Sequence, residues 1–426
     1  MGARFKVLII AEAANPEWVS VPLVGWSLAT ALRDVADVHI VTQVRNRDAF
    51  LRAGLIEGQD FTAINSEKVA RPLWHLAKTL KMGWTAGTAI SGLSYLYFER
   101  QVWQQFGGQI SDDEYDLVHR ITPLTPTSQS PIATKCARAG VPFVMGPLNG
   151  GVPWPRGFDS ERRREREWLS YVRSVYKLMP GRRKSLKAAA AIITGSRNTQ
   201  SEIPLQLQDR TVYIPENGID PKRFNKRAKQ DISGPLRACF IGRLVPYKGP
   251  DMLLEAAGPA LHEGRLILDI IGDGPMRNGL EAHVQQAGLE KAVTFYGMLD
   301  HHEVQDVAVQ SNLLTFPSIR EFGGGVVIEA MSLGVVPLIV DYAGPGELVG
   351  PNTGFKVPIG TRSEIVATFG AQLEAILADP SALPDIGAAS QAYVQSKFTW
   401  EAKAAQILDV YTWALADRRQ PTPDFF

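Results

Sequence analysis

The chain has 426 residues, more than one hydrophobic core usually supports, so two domains are expected. Its 45 Lys and Arg balance 44 Asp and Glu to a net charge of +1, and 45% of its residues are apolar. That is an ordinary globular composition, and it excludes the global basic field that nucleic-acid binding uses. Two cysteines, Cys136 and Cys239, each lie inside an apolar run and are expected as core thiols of a reducing compartment. ARFKVLIIAEAA begins like a signal peptide, but Glu12 interrupts it after five apolar residues, so it reads as a first strand. The segment of residues 82–98 is 17 residues long and uncharged. It is shorter than the ~20 apolar residues a bilayer needs, and reads as a buried or interfacial helix.

Residues 5–10 form an apolar run typical of a strand covered on both faces. A loop, AEAANPEWVSVP, leads into a helix near residues 23–32, and VADVHIVTQ supplies a second strand, completing a βαβ opening. Residues 71–106 collect Trp74, Trp84, Tyr95, Tyr97, Phe98, Trp103 and Phe106. They read either as helices packing apolar sides or as a platform for an acceptor or a membrane. DLVHRITPLTP is a strand running into a Pro/Thr loop, with His119 near its end as either a core residue or a pocket candidate. VPFVMGPLNGGVPWP is another strand, feeding a loop with Asn149, Gly150 and Gly151. Paired glycines there serve either close backbone approach to a ligand or a plain tight turn. Residues 156–187 hold 11 Lys and Arg against 4 Asp and Glu, a local charge of +7, interleaved with Trp168, Tyr171 and Tyr176. That pattern suits an anionic membrane surface, or a solvated helix with Arg–Glu pairs. AAAAIITGS is expected as the last strand of the first domain.

The second half repeats the strand–loop–helix pattern. TVYIPENGIDPKRF makes a turn, and the polar stretch to Gly234 reads as a linker. LRACFIGRLVPYKGPDMLLEAA gives a strand, a loop carrying Arg243 and Lys248, and a helix. Two cations beside a glycine-rich helix start suit a diphosphate, because charge-assisted contacts to phosphate oxygens are the strong ones. LILDIIGDGPMRNGLEAHV places a turn at Gly272; its spacing to Gly279 is wrong for a dinucleotide fingerprint. AVTFYGML is the next strand, followed by NLLTFP and then SIREFGGGVVIEAMSLG. Glu321 falls at the carboxyl end of NLLTFP, where ligands bind in open α/β sheets. Gly323, Gly324 and Gly325 leave backbone N–H groups bare at a helix N-terminus, which favours an anion. Glu329 follows about one turn inside the helix. An anionic ligand with hydroxyls at both ends, such as a sugar nucleotide, fits this set. No D-x-D triad is placed as a metal site, and no His/Cys cluster has ligand spacing.

EFGGGVVIE resembles the E-x7-E pattern of retaining glycosyltransferases with the GT-B fold, and is most similar to glycosyltransferase family 4. GRL-x3-KG around Arg243 and Lys248, and IPENGID near the domain crossing, are similar to the same family. The resemblance implies two Rossmann-like α/β domains facing a central cleft. It implies that Glu321 meets the donor sugar, that Glu329 holds the ribose hydroxyls, and that Arg243 and Lys248 hold the diphosphate. It places the Gly272 turn near the nucleotide and the Met298 backbone at the base. Two features depart from the family. The first loop lacks the usual glycine pair, Gly25 falling later, and Ile121 stands where a pocket histidine is expected, leaving His119 as the candidate. Asn149 and Gly150 are expected on the acceptor side.

The expected organisation is an acceptor-side domain over residues 1–212, a linker over 213–234 and a donor-binding domain over 235–398. A last helix within 399–426 is expected to cross back to the first domain. The function implied is metal-independent, retaining transfer of a sugar from a UDP- or GDP-type sugar nucleotide to a hydroxyl of a glycan, glycolipid or small molecule. No further cofactor and no nucleic-acid partner are expected, in a cytoplasmic setting with peripheral membrane contact through 156–187 if that helix docks. An inactive sugar-nucleotide-binding protein and a GT-B epimerase are the alternatives.

Overall fold

The computed structural model describes residues 4–68, 84–159 and 180–426. The remainder of the aromatic stretch (69–83) and most of the basic segment (160–179) lie outside the described residues, and the membrane reading of 156–187 lies there with them. The chain forms two compact units, one of Met1–Gly151, Leu169–Glu216 and Trp400–Phe426, the other of Val152–Trp168 and Asn217–Thr399.

The first unit is built on a parallel sheet of seven strands: β1 Lys6–Ala11, β2 Asp37–Gln43, β3 Phe61–Ile64, β4 Leu117–Thr122, β5 Phe143–Leu148, β6 Ala191–Thr194 and β7 Thr211–Tyr213. Their order is β3-β2-β1-β4-β5-β6-β7, with Ile9 of β1 registered between Ile40 and His119. The strands are apolar on both sides because helices cover both faces. On one face, Leu28 and Leu32 of helix Val21–Val35 pack with Ile407, Val410 and Tyr411 of the last helix, Trp400–Leu415. On the other, Tyr95, Phe98, Val102, Phe106 and Ile110 present a stripe at helical spacing to Leu8, Val118 and Ile192. Of the two readings of the aromatic stretch, these described residues take the core.

Gly25 is a packing glycine. A Cβ there would stand 2.2 Å from the Ala13 carbonyl oxygen, so only glycine lets the loop after β1 lie against the helix. The Ala13 N–H in turn donates to Thr122 Oγ1 at 3.0 Å, tying β1 to β4.

The second unit has a six-stranded parallel sheet: β8 Leu236–Ile241, β9 Leu266–Ile271, β10 Val293–Gly297, β11 Leu313–Phe316, β12 Val336–Asp341 and β13 Phe355–Pro358. Their order is β10-β9-β8-β11-β12-β13, so the chain runs outward from β8 and then jumps back beside it to β11. Helices Pro250–His262, Arg277–Gln286, Gly325–Ser332 and Arg362–Ala378 alternate with the strands.

One expectation is corrected here. The first sheet ends with β7, not with the strand of AAAAIITGS, so a boundary at residue 212 cuts through a strand. Also, β3 and β13 are four-residue edge strands whose short apolar content gave no separate signal. Cys136 and Cys239 are free and buried, and burial pushes both thiols up to about 12.

Candidate active site

In a doubly wound sheet, ligands sit beyond the carboxyl ends of the strands where the strand order reverses. In the second unit that point lies between β8 and β11. The loops leaving these two strands carry Arg243 and Lys248 on one side and Glu321 with Gly323, Gly324 and Gly325 on the other.

Backbone contacts fix both loops. Ile319 N–H and Ser318 Oγ donate to the Tyr247 carbonyl at 2.9 and 3.2 Å. Gly249, at φ 71, lies so close to Pro317 that a Cβ would meet its carbonyl oxygen at 2.8 Å. Held this way, Lys248 Nζ forms an ion pair with Glu321, the two side chains 15% and 21% exposed. Arg243 is exposed on the same loop. On the β9 side, Gly242 N–H donates to the Ile271 carbonyl and Gly272 N–H to the Gly297 carbonyl, so the ends of β8, β9 and β10 are stitched together. A Cβ on Gly272 would come 2.0 Å from the Gly242 oxygen, which is why that turn takes glycine. Met298 follows directly and is 75% exposed.

The helix Gly325–Ser332 starts from Gly324 in the left-handed region (φ 57), with no side chain capping it. Its first N–H groups are therefore an anion site in waiting. The loop before it rests on the next one: Gly344 N–H donates to the Glu321 carbonyl at 3.2 Å, and a Cβ on Gly344 would stand 2.4 Å from the Phe322 oxygen. Glu329, one turn in, has its carboxyl pushed above the ordinary value by burial, an effect opposed by the Arg223 cation. Among the described residues its carboxylate makes neither a side-chain hydrogen bond nor an ion pair. A half-buried carboxylate with only the Arg223 charge to offset its desolvation would gain from ligand hydroxyls.

The first-unit candidates fare differently. His119 is corrected from pocket candidate to core residue. Its Nε2 lies 2.7 Å from the Gly146 carbonyl and its Nδ1 2.6 Å from the Tyr411 hydroxyl, with the ring fully buried. Burial pulls its pKa down to about 4, so the ring is neutral, donating from Nε2 and accepting at Nδ1. Asn149 is also committed internally. Its amide N–H donates to Glu216, and its oxygen accepts from Ser196 Oγ at 2.9 Å and Gly150 N–H at 2.8 Å. Gly150 and Gly151, at φ 149 and 81, form the turn that follows.

The sequence reading passed over Arg320, Phe322, Trp154 and Arg223. The first three form a stack beside Glu321, and their only trace in sequence is the alternation Arg-Glu-Phe and the Pro-Trp-Pro run. Among the described residues, no group of three or more His, Cys, Asp or Glu side chains converges as a metal site.

Two parallel-sheet Rossmann-like units of this kind define the GT-B fold. The structure of Anabaena HepE in complex with UDP superposes with a TM-score of 0.62 at 17% identity, over 96% of this chain and 99% of that one. Residues 222–390, all in the second unit, match the family model for glycosyl transferases group 1. Glycogen synthase of Mycobacterium tuberculosis is 29% identical over 216 residues, 50% of this chain and 51% of that protein. The D-inositol 3-phosphate glycosyltransferase of Gordonia bronchialis is 32% identical over 198 residues, 43% of this chain and 42% of that protein. The chain thus spans about half the length of the curated relatives it matches. Arg243, Lys248, Glu321 and Glu329 all fall within the stretch that matches the group 1 model.

Proposed function

We propose that this protein is a metal-independent, retaining glycosyltransferase of family 4 type. It would move a sugar from a UDP- or GDP-type sugar nucleotide to a hydroxyl of a glycan, glycolipid or small molecule. The observation that carries this reading is the assembly, at one switch point, of the Lys248–Glu321 pair, the uncapped Gly325–Ser332 helix and the unpartnered Glu329 carboxylate. In this reading Glu329 takes the ribose hydroxyls, while Arg243, Lys248 and the helix N-terminus hold the diphosphate. Glu321 orients the donor sugar, and the Gly272 turn and Met298 backbone border the base. The bond from the anomeric carbon to the diphosphate breaks with its electron pair going to the phosphate oxygen. A bond to the acceptor oxygen forms, and the hydroxyl proton passes to the departing diphosphate. The two cations and the helix dipole stabilise the charge that develops there, so no metal is needed in this scheme. HepE was solved with UDP and with UDP-glucose, which supports a uridine donor as the first to try. No described helix is long and apolar enough to cross a membrane. A cytoplasmic enzyme touching the membrane peripherally through 156–187 completes the proposal.

The test is a thermal-shift screen against UDP, GDP, ADP and their common sugars, followed by NMR of the product's anomeric configuration. One nucleotide at about 100 times its Kd should stabilise the fold by ~2.7 kcal/mol, and the product should keep the donor's configuration. Binding without turnover over an acceptor panel would instead indicate an inactive binder, and an inverted product would remove the retaining assignment.

A further inference from the structure

We infer that Trp154 is a positioning residue for Glu321, acting through the guanidinium of Arg320; this rests on the donor-site reading above. Glu321 pairs with Lys248, while the residues on either side of it, Arg320 and Phe322, meet each other. The Arg320 guanidinium carbon lies 5.5 Å from the centre of the Phe322 ring and 4.9 Å from that of Trp154. One planar cation thus joins the residues before and after Glu321, and the indole supplies its second stacking surface. Arg320 is almost wholly buried, so it serves this stack and not the solvent.

Trp154 is held for the purpose. Prolines on both sides restrict its backbone. Arg320 Nε donates to the Val152 carbonyl at 3.4 Å, and the Tyr342 hydroxyl donates to the Pro153 carbonyl at 3.0 Å. The indole also meets Tyr247 edge to face, with ring centres 6.2 Å apart. Tyr247 precedes Lys248 and Arg320 precedes Glu321, so one side chain touches the neighbour of each member of the ion pair. Removing it should leave the loops hydrogen-bonded through the Tyr247 carbonyl but free the Arg320–Phe322 side. Glu321 would then lose its fixed aim at Lys248.

The test compares the full chain with Trp154→Ala, Trp154→Phe and Glu321→Gln by two readouts. The first is acylation of Lys248 by a dilute N-hydroxysuccinimide ester, quantified by peptide mass spectrometry, which needs no substrate. Trp154→Ala should raise Lys248 labelling several-fold towards the Glu321→Gln level, and Trp154→Phe should restore it towards the parent. The second is turnover with the nucleotide sugar found by screening. There kcat should fall roughly 10- to 100-fold in Trp154→Ala, the cost of a misplaced reacting group, while the Kd for the nucleoside diphosphate stays within about twofold. Should Trp154→Ala fail to fold, Arg320→Lys replaces it, since lysine keeps the charge but loses the planar stack. Unchanged Lys248 labelling in a folded variant overturns the inference. If the parent binds no nucleotide, the donor reading fails, but the labelling arm still decides the role of Trp154.

Discussion

Glu329→Gln should move ligand affinity and stability in opposite directions. The carboxyl group is held above the ordinary glutamate value of 4.5 by burial, with Arg223 only partly offsetting it. Below pH 4.5 the folded and unfolded states are both protonated and the group contributes nothing. As pH rises through the window above 4.5, the unfolded chain releases its proton first, so stability falls and stays lowered at neutral pH. The neutral, isosteric glutamine removes that penalty. The variant should therefore melt above the parent at pH 7.5, with the gap closing towards pH 4. Nucleotide binding should move the other way. If Glu329 accepts two hydrogen bonds from ribose, each to a charged group is worth ~1.5–3 kcal/mol. Truncation by Glu329→Ala then costs on the order of 3 kcal/mol, about 100-fold in Kd, and glutamine loses a fraction of that. Calorimetric titration of the cognate nucleoside diphosphate, beside melting curves at pH 4, 6 and 7.5, checks both signs. Undiminished affinity in Glu329→Ala would refute the ribose assignment. A lower melting point for Glu329→Gln at pH 7.5 would refute the claim that the carboxylate is an uncompensated cost awaiting a ligand.

Arg243→Ala should weaken the nucleoside diphosphate about tenfold or more while leaving the nucleoside's weak binding unchanged, read by titration at two salt concentrations. Tyr411→Phe should cost ~1–3 kcal/mol by leaving His119 Nδ1 buried without a donor, measured by denaturant unfolding, with kcat unaltered because His119 lies in the core. His119 also sets an acid limit. Its pKa falls from 6.5 unfolded to about 4 folded, so the unfolded state takes the proton first as pH drops. Roughly 3 kcal/mol should be lost between those values, and a pH–stability profile for His119→Gln should be flatter there. Gly25→Ala should destabilise by ~1–3 kcal/mol or more, since its Cβ would strike backbone and not a movable side chain; an unchanged unfolding midpoint would refute that. Glu216 and Lys403 lie in one buried cluster, so the Glu216→Gln/Lys403→Met double variant should cost less than the sum of its two single variants, whereas additivity within ~0.5 kcal/mol would show them uncoupled.

The second unit was legible because its signals are local. Each apolar strand runs straight into the loop that carries its chemistry, so Arg243 and Lys248 after β8 and Glu321 after β11 read directly from the strand ends. The meeting of those loops follows from parallel strand order alone. The first unit resisted because its decisive contacts are distant in sequence. His119 is settled by a hydroxyl 292 residues away, and nothing near position 119 announces Tyr411. Gly25 is required by the Ala13 carbonyl, which sits in the loop before its helix, and nothing around position 25 announces that contact. Trp154 failed for a different reason. An aromatic in a Pro-rich loop reads as punctuation until Arg320 and Tyr247 are seen on its two sides.

Glu216 belongs to a buried polar cluster at the points where the chain passes between units. It lies within IPENGID and is the last residue of its first-unit segment before the backbone passes to the second unit. Its carboxylate accepts from Asn149, two residues before the chain leaves the first unit at Gly151. Lys403, three residues after the chain returns at Trp400, donates from Nζ to the neighbouring Pro215 carbonyl. Burial lowers the Lys403 pKa to about 7, with Glu216 the charge that opposes the fall. A lysine that close to neutrality is retained only if its surroundings repay its desolvation. Glycine packing leaves no slack either, because a Cβ on Gly195 would stand 2.4 Å from Glu216 Oε2. The three places where the described backbone changes units are thus each anchored, within three residues, to one buried polar cluster in the first. On that geometry Asn149 and Glu216 are committed to the buried cluster that holds the chain crossings.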